Sequence, residues 1–367
     1  MKNYLLVIIG LFLLSCEPFV TEFDDVSDAV MYEAKTKTQA SYTGGGIKAV
    51  TWNIRFGIGR FPFFGDSCGD NVIADNDHIN TVMQKIADSI TAMNPDIILL
   101  QEVDILSKRT GYMDQVQFLL DNTPMNYGCY ASMWKADYIP SDGIGRIDAG
   151  NAILSKYELT DAERIKLSLR TDQSELVQYF YLRRNILKAN IPALAQNNKS
   201  FFAVNIHATA FATDDTKQKH INTYVTTLAE IRDAGDYFVT GGDLNSVPPG
   251  SETDFCENDM CIGDDYHTEG AKEYHKEGSY FENFEEEPDL LLPLYIAYAP
   301  AIDSSQANLP NHFTHAPSTS DIQYDRKLDY LFSNLSWVDS LSKTHQTAWE
   351  LSDHMPVSGV VSAEASQ

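Results

Sequence analysis

Six segments with polar residues close apolar runs in this chain, and those residue types suit acid–base work on a charged substrate. Asn53 lies in Thr-Trp-Asn-Ile-Arg (51–55), and Glu102 in Leu-Gln-Glu-Val (100–103). Asp243 and Asn245 share Gly-Gly-Asp-Leu-Asn (241–245), while Asp353 and His354 share Leu-Ser-Asp-His-Met (351–355). His207 ends Val-Asn-Ile-His (204–207), and Asp329 lies in Lys-Leu-Asp-Tyr (327–330). A carboxylate beside a buried run is costly unless it is paired, hydrogen-bonded or bound to a cation. Singly, each has a bland reading. Glu102 could be an acid paired with arginine, the glycine-rich segment a turn, Asp353 a helix cap and His207 a satisfied core histidine. Together, at the ends of so many apolar runs, they point to one shared site.

The elements that must position these groups follow from hydrophobic periodicity. Strands are expected over 50–56, 96–103, 151–154, 179–190, 201–207, 237–240, 327–332 and 355–361. Helical spacing of Ile79, Val82, Met83, Ile86 and Ile90 predicts a helix over 78–93, which Asn94-Pro95 ends. Further helices are expected over 113–121 and 216–233, the latter with Ile221, Tyr224, Val225, Leu228 and Ile231 on one face. Strands interleaved with helices imply an α/β domain in which helices cover two sheets packed face to face. The acidic, aromatic stretch at about 252–289 reads as a surface insertion.

The segments Trp-Asn-Ile, Gln-Glu-Val, Gly-Asp-Leu-Asn and Ser-Asp-His, in this order over about 47–361, resemble the endonuclease/exonuclease/phosphatase superfamily. That group includes nucleases, sphingomyelinases, deadenylases and inositol polyphosphate phosphatases. The resemblance implies a four-layer α/β/β/α sandwich, with two central mixed β-sheets flanked by helices and the site at one rim. It implies Glu102 as the principal metal ligand, assisted by Asn53 and Asp353. An all-oxygen donor set suits Mg²⁺ or Mn²⁺. Asp243 would orient or deprotonate the attacking water, with Asn245 beside it. His354, fixed by Asp329, would stabilise charge on the transition state, and His207 would bond a phosphate oxygen. Asn151, Arg183 and His312 are the expected substrate contacts. Arg184 competes with Arg183 for that role, and His315 accompanies His312.

The N-terminus carries a different message. Lys2, an apolar run over 4–14 and Leu-Leu-Ser-Cys (13–16) read as a lipoprotein signal over 1–15, with Cys16 as the lipidated residue. Residues 16–46 then read as a flexible tether, and 47–367 as the phosphoesterase domain. The expected location is the cell envelope, on a bacterial membrane and facing the periplasm or the exterior. Export would permit disulfides among Cys68, Cys129, Cys256 and Cys261, with three pairings open.

The net charge of −25, from 52 acids against 27 bases, repels long polyanions. A small or lipid-linked phosphoester is therefore favoured over duplex DNA, with an extracellular nuclease as the alternative. A non-catalytic binding lipoprotein on the same fold is the reading from another class. It is disfavoured because Glu102, Asp243, Asp329 and His354 are all present. No protein partner is implied.

Overall fold

The computed structural model describes residues 20, 22–64, 69–210, 212, 214–251, 287–316, 324, 326–338 and 340–362. Their strands form two mixed seven-stranded sheets. The first runs β13 (Lys343–Thr344), β14 (Val357–Val361), β3 (Ile47–Asn53), β4 (Ile97–Asp104), β6 (Gly145–Ser155), β5 (Tyr127–Ile139) and β2 (Val30–Glu33). The second runs β1 (Val26–Asp28), β7 (Thr160–Lys166), β8 (Asn185–Asn190), β9 (Phe201–His207), β10 (Tyr237–Asp243), β12 (Asp329–Ser333) and β11 (Ala299–Pro300). The central pairs β3–β4 and β9–β10 are parallel, and antiparallel strands flank them.

Side-chain alternation along the strands decides the layering. Ile97 and Leu99 of β4 face the second sheet and pack with Leu187, Phe201 and Val239. Their neighbours Ile98 and Leu100 point the other way, against Ile79, Met83 and Ile86. Those residues belong to helix α1 (Asn76–Met93), which Asp75 caps by accepting from the Asp77 and His78 amides. Helix α2 (Gln115–Asn122) adds Val116, Leu119 and Leu120 to the same layer. On the far side, Ile186, Val204, Ile206 and Phe238 meet Ile221, Tyr224 and Leu228. These last three belong to a second long helix, Thr216–Asp233. The product is helix, sheet, sheet, helix, as the resemblance implied. Each fully buried Leu, Ile or Phe in these interfaces contributes about 1.5–3 kcal/mol.

Two expectations need correction. The tether predicted over 16–46 is ordered at 26–33. There β1 pairs with β7 of one sheet and β2 with β5 of the other, so this segment edges both sheets. Alternation of short apolar and acidic residues suits such edge strands. The strand predicted over 179–190 begins only at Asn185; before it lies helix α3 (Glu175–Phe180), capped by Ser174. Its last residues, Tyr179 and Phe180, mimic a strand by type, and the Ser174 cap decides otherwise. Strands β5 and β7 were not foreseen. Cys129 is a buried free thiol; Cys16, Cys68, Cys256, Cys261 and most of the acidic insertion lie outside the described residues.

Candidate active site

The site forms where strands of both sheets end. In the second sheet, His207 is in register with Asp243, and Asp243 with Asp329, so three adjacent strands deliver one polar row. The row requires glycine just before Asp243. Gly242 has φ 144°, and a Cβ there would lie 1.8 Å from the Ile206 carbonyl oxygen. In the first sheet, the pairing of β4 with β6 slips between Leu100 and Val103. Glu102 sits in this bulge with φ 55°, a conformation that costs a non-glycine residue about 1–3 kcal/mol. Asn245 is held similarly, at φ 47°. Both strained residues border the same centre.

The centre is compact. Asn53 Nδ2 lies 3.2 Å from Glu102 Oε1 and 3.1 Å from Asp243 Oδ2. His207 Nε2 lies 3.3 Å from Asp243 Oδ2 and 3.9 Å from Glu102 Oε1. His354 Nδ1 lies 2.9 Å from Asp329 Oδ2, while its Nε2 is 3.7 Å from Asp243 Oδ2. The Trp52 indole N–H donates to the His354 carbonyl at 3.0 Å, joining the C-terminal loop to β3. The Asn245 amide N–H donates to Asp243 Oδ1 at 2.9 Å. Beneath these groups Gln101 Nε2 donates to Asn205 Oδ1 at 2.7 Å, and Asn205 Nδ2 donates to the carbonyls of Leu100 and Ala152. This buried amide pair ties the two sheets directly under the site.

Electrostatics separates the roles. Burial lowers the proton affinity of His354, but Asp329, Asp243 and Asp353 outweigh it and raise its pKa well above the ordinary histidine value. Burial pushes His207 the other way, with help from the Arg184 charge, to about 4, so it is neutral. Burial raises Asp243, yet His354, His207 and the Asn245 amide hold it below the usual carboxylate range. An ionised carboxylate thus stands between one neutral and one protonated imidazole.

Glu102 behaves differently. Burial and then the neighbouring Asp353 push its carboxyl up to about 7. Burial raises Asp353 as well, but His354 and then Arg55, at 3.6 Å, hold it below its ordinary range, whereas Glu102 stays raised despite His354 and Arg184. A divalent cation would offset their charge, so the donor chemistry fits a hard metal ion held by Glu102 and Asp353. Asn53 Oδ1 accepts the Arg55 amide, leaving its second lone pair for such an ion. Asp243, Asp329 and His354 also bring ligand atoms within 4.8 Å of one another. His354 Nδ1 already bonds Asp329 Oδ2, so this group also forms one hydrogen-bonded chain.

The remaining expected contacts divide. Asn151 is fully buried, and its Nδ2 donates to the carbonyl and side-chain oxygens of Asn185 at the start of β8. Arg183 Nη1 donates to the Gln178 and Tyr181 carbonyls, and the residue lines a cleft with Phe23 and Arg164. Arg184 is the arginine whose charge acts on Glu102 and His207. It is buried, and its Nε and Nη1 have no hydrogen-bond partner among the described residues. His312 lines a separate pocket with Asn311, Lys343 and Gln346. Its neighbour in the motif, His315, pairs with His354 through the backbone, with ring centroids 5.5 Å apart. Lys217 was not foreseen: buried at the start of the second long helix, it donates from Nζ to the Asn245 carbonyl at 2.9 Å. Nothing in the local sequence around Lys217 signals that contact.

A solved endonuclease/exonuclease/phosphatase from Beutenbergia cavernae DSM 12333 is similar over 87% of this chain and 72% of its own, at 16% identity and TM-score 0.54. A family protein from Leptotrichia buccalis C-1013-b is 16% identical over 86% of this chain and 99% of its own, at TM-score 0.49. One from Bacteroides vulgatus is 15% identical over 87% and 99%, at TM-score 0.48. A comparison with curated proteins finds no match. The profile of the Endonuclease/Exonuclease/phosphatase family matches residues 50–354, which include every central residue described above. The chain belongs to the endonuclease/exonuclease/phosphatase family.

Proposed function

We propose that this protein is a divalent-metal-dependent phosphoesterase that cleaves a phosphodiester or phosphomonoester by in-line attack of water, outside the cytoplasm. The observation that carries this reading is ionised Asp243 set between neutral His207 and protonated His354. Asp243 orients the water and accepts its proton. His354, steadied by Asp329, donates to a phosphoryl oxygen as charge develops there. Arg184 offers its two unpartnered N–H groups to a further oxygen, while Lys217 holds the loop that carries Asn245. Mg²⁺ or Mn²⁺ on Glu102, Asp353 and Asn53 would supply Lewis acidity toward the phosphate. Lipid on Cys16 would hold the enzyme on a membrane of the cell envelope.

The test is hydrolysis by residues 17–367, which retain β1 and β2, with Mg²⁺, Mn²⁺ or chelator. The substrates are bis-p-nitrophenyl phosphate, p-nitrophenyl phosphate, DNA, RNA, sphingomyelin and phosphoinositides. Metal-dependent turnover that Asp243→Ala abolishes is the expected outcome. Turnover that survives chelator and this substitution alike would remove the assignment.

A further inference from the structure

Beside the centre, on the other side of the segment that carries Arg183 and Arg184, lies a second cleft of about 230 Å³. Arg164, Lys166 and Arg183 supply its charge, and Leu169, Leu182 and Phe23 its apolar wall. Arg164 is buried, with Nε on the Ser132 carbonyl at 3.1 Å and Nη2 on the Arg183 carbonyl at 2.8 Å. Its Nη1 is buried without a partner, and no carboxylate pairs with it among the described residues. The Phe23 ring covers its guanidinium at 3.8 Å. A buried guanidinium with an unused N–H and no counter-charge is an anion site. The acids nearby include Asp25, 3.6 Å from Lys166 and almost wholly exposed, Glu22 and Asp24 on either side of Phe23, and Glu175 on α3.

The surface next to this cleft is apolar. Helix α3 buries none of its residues; Leu176 is 70% exposed and Phe180 44%, with Val177 between them. A soluble phosphate has no use for such a helix, whereas an amphiphile engages both parts. The chain also enters here. The Val20 amide donates to the Lys135 carbonyl, Phe23 lies on Arg164, and the Lys166 amide donates to the Asp25 carbonyl. Val20 lies four positions after Cys16, so a lipid on that cysteine would be within roughly 14 Å of this face.

We propose that this face rests on an anionic bilayer, with a phospholipid headgroup phosphate in the Arg164–Lys166–Arg183 cleft and Leu176, Val177 and Phe180 at the acyl boundary. Such seating brings the adjacent catalytic centre to the membrane surface, where its phosphoester would be met. The proposal extends the reading of Cys16 as an anchor, but its test does not depend on that reading.

Residues 17–367 contain every described element, so this unlipidated protein is sedimented with vesicles of phosphatidylcholine alone or of equimolar phosphatidylcholine and phosphatidylglycerol. Binding is expected only to the anionic vesicles. Joint Leu176→Ser and Phe180→Ser substitution should weaken it about tenfold or more, and Lys166→Ala about fivefold. Both variants should hydrolyse a small soluble phosphoester at the unaltered rate. Equal sedimentation with both vesicles, or binding untouched in both variants, overturns the proposal. So does inorganic phosphate bound at this cleft without any vesicle association, which would make it a soluble-anion site. Failure of Cys16 to take up labelled palmitate in cells would remove the anchor and leave the vesicle result standing.

Discussion

The two sheets contribute different chemistry to one centre. The first sheet and its adjoining loop bring Asn53, Glu102 and Asp353, where burial and Asp353 push the Glu102 carboxyl up to about 7. The second sheet brings His207, Asp243 and Asp329 as neighbours in one register row, which handles protons. His354 belongs to the first sheet's edge by chain position but to the second sheet's row by hydrogen bonding. What the difference teaches is that neither sheet is an active site alone. The packing of one upon the other, locked by Gln101 and Asn205, assembles the pair.

The sharpest way to break this comparison is to remove a member of the proton-handling row. Asp243→Ala or His354→Ala should lower kcat by about 10³-fold or more, with the fold and the metal affinity kept. Turnover at the original rate in both variants would end the mechanism. The complementary substitution is Glu102→Gln. Calorimetry should show Mg²⁺ or Mn²⁺ affinity reduced roughly 100-fold, whereas Asp243→Ala leaves it nearly unchanged. Equal losses from the two substitutions would erase the division between the sheets.

The paired arginines sharpen the boundary of the centre. Arg184→Met should cut kcat/KM on a soluble phosphoester roughly 100-fold, and Arg183→Met should leave it about where it was. The opposite ranking would restore Arg183 as the phosphate contact.

Stability against pH tests the raised Glu102 carboxyl. Its folded pKa of about 7 exceeds the ordinary 4.5, so its contribution is complete below 4.5 and is lost as pH rises through 7. Thermal melts in chelator should show wild type losing up to roughly 3 kcal/mol relative to Glu102→Gln across that window. His207 acts oppositely, since its depressed pKa removes stability as pH falls from 6.5 toward 4. It is present in both proteins, so most of its own contribution cancels in their difference. A pH-independent difference would show that Glu102 carries no such charge penalty.

The smallest effect is expected at the inter-sheet tie. Asn205→Leu leaves Gln101 Nε2 and two buried carbonyls short of a partner, and should cost about 2 kcal/mol in denaturant unfolding. A neutral result would mean that apolar packing alone aligns the sheets.

Much of this architecture was readable beforehand. The helical period at Ile79 to Ile90 and the apolar run at 97–100 gave α1 and β4 close to their true positions, because each is long and has one decisive pattern. Strands β5 and β7 escaped because glycine, lysine and acids interrupt their alternation. The end of helix α3, Tyr179 and Phe180, reads as strand by residue type, and only Ser174 signals the helix start. The segment at 26–33 was misread because edge strands need little apolar content to pair.

By itself the sequence determined which residue types crowd the ends of the apolar runs, and hence the family and the class of chemistry. Those are local properties, written as short motifs that survive without their context. Only the tertiary structure decided which of Arg183 and Arg184 meets the centre, that His315 rather than His312 adjoins His354, and that Lys217 supports Asn245. It also decided the protonation of the row, since a pKa is set by burial and by charges that approach from other strands. Distances across the sheet interface are not encoded in any one segment; they arise when the two sheets pack.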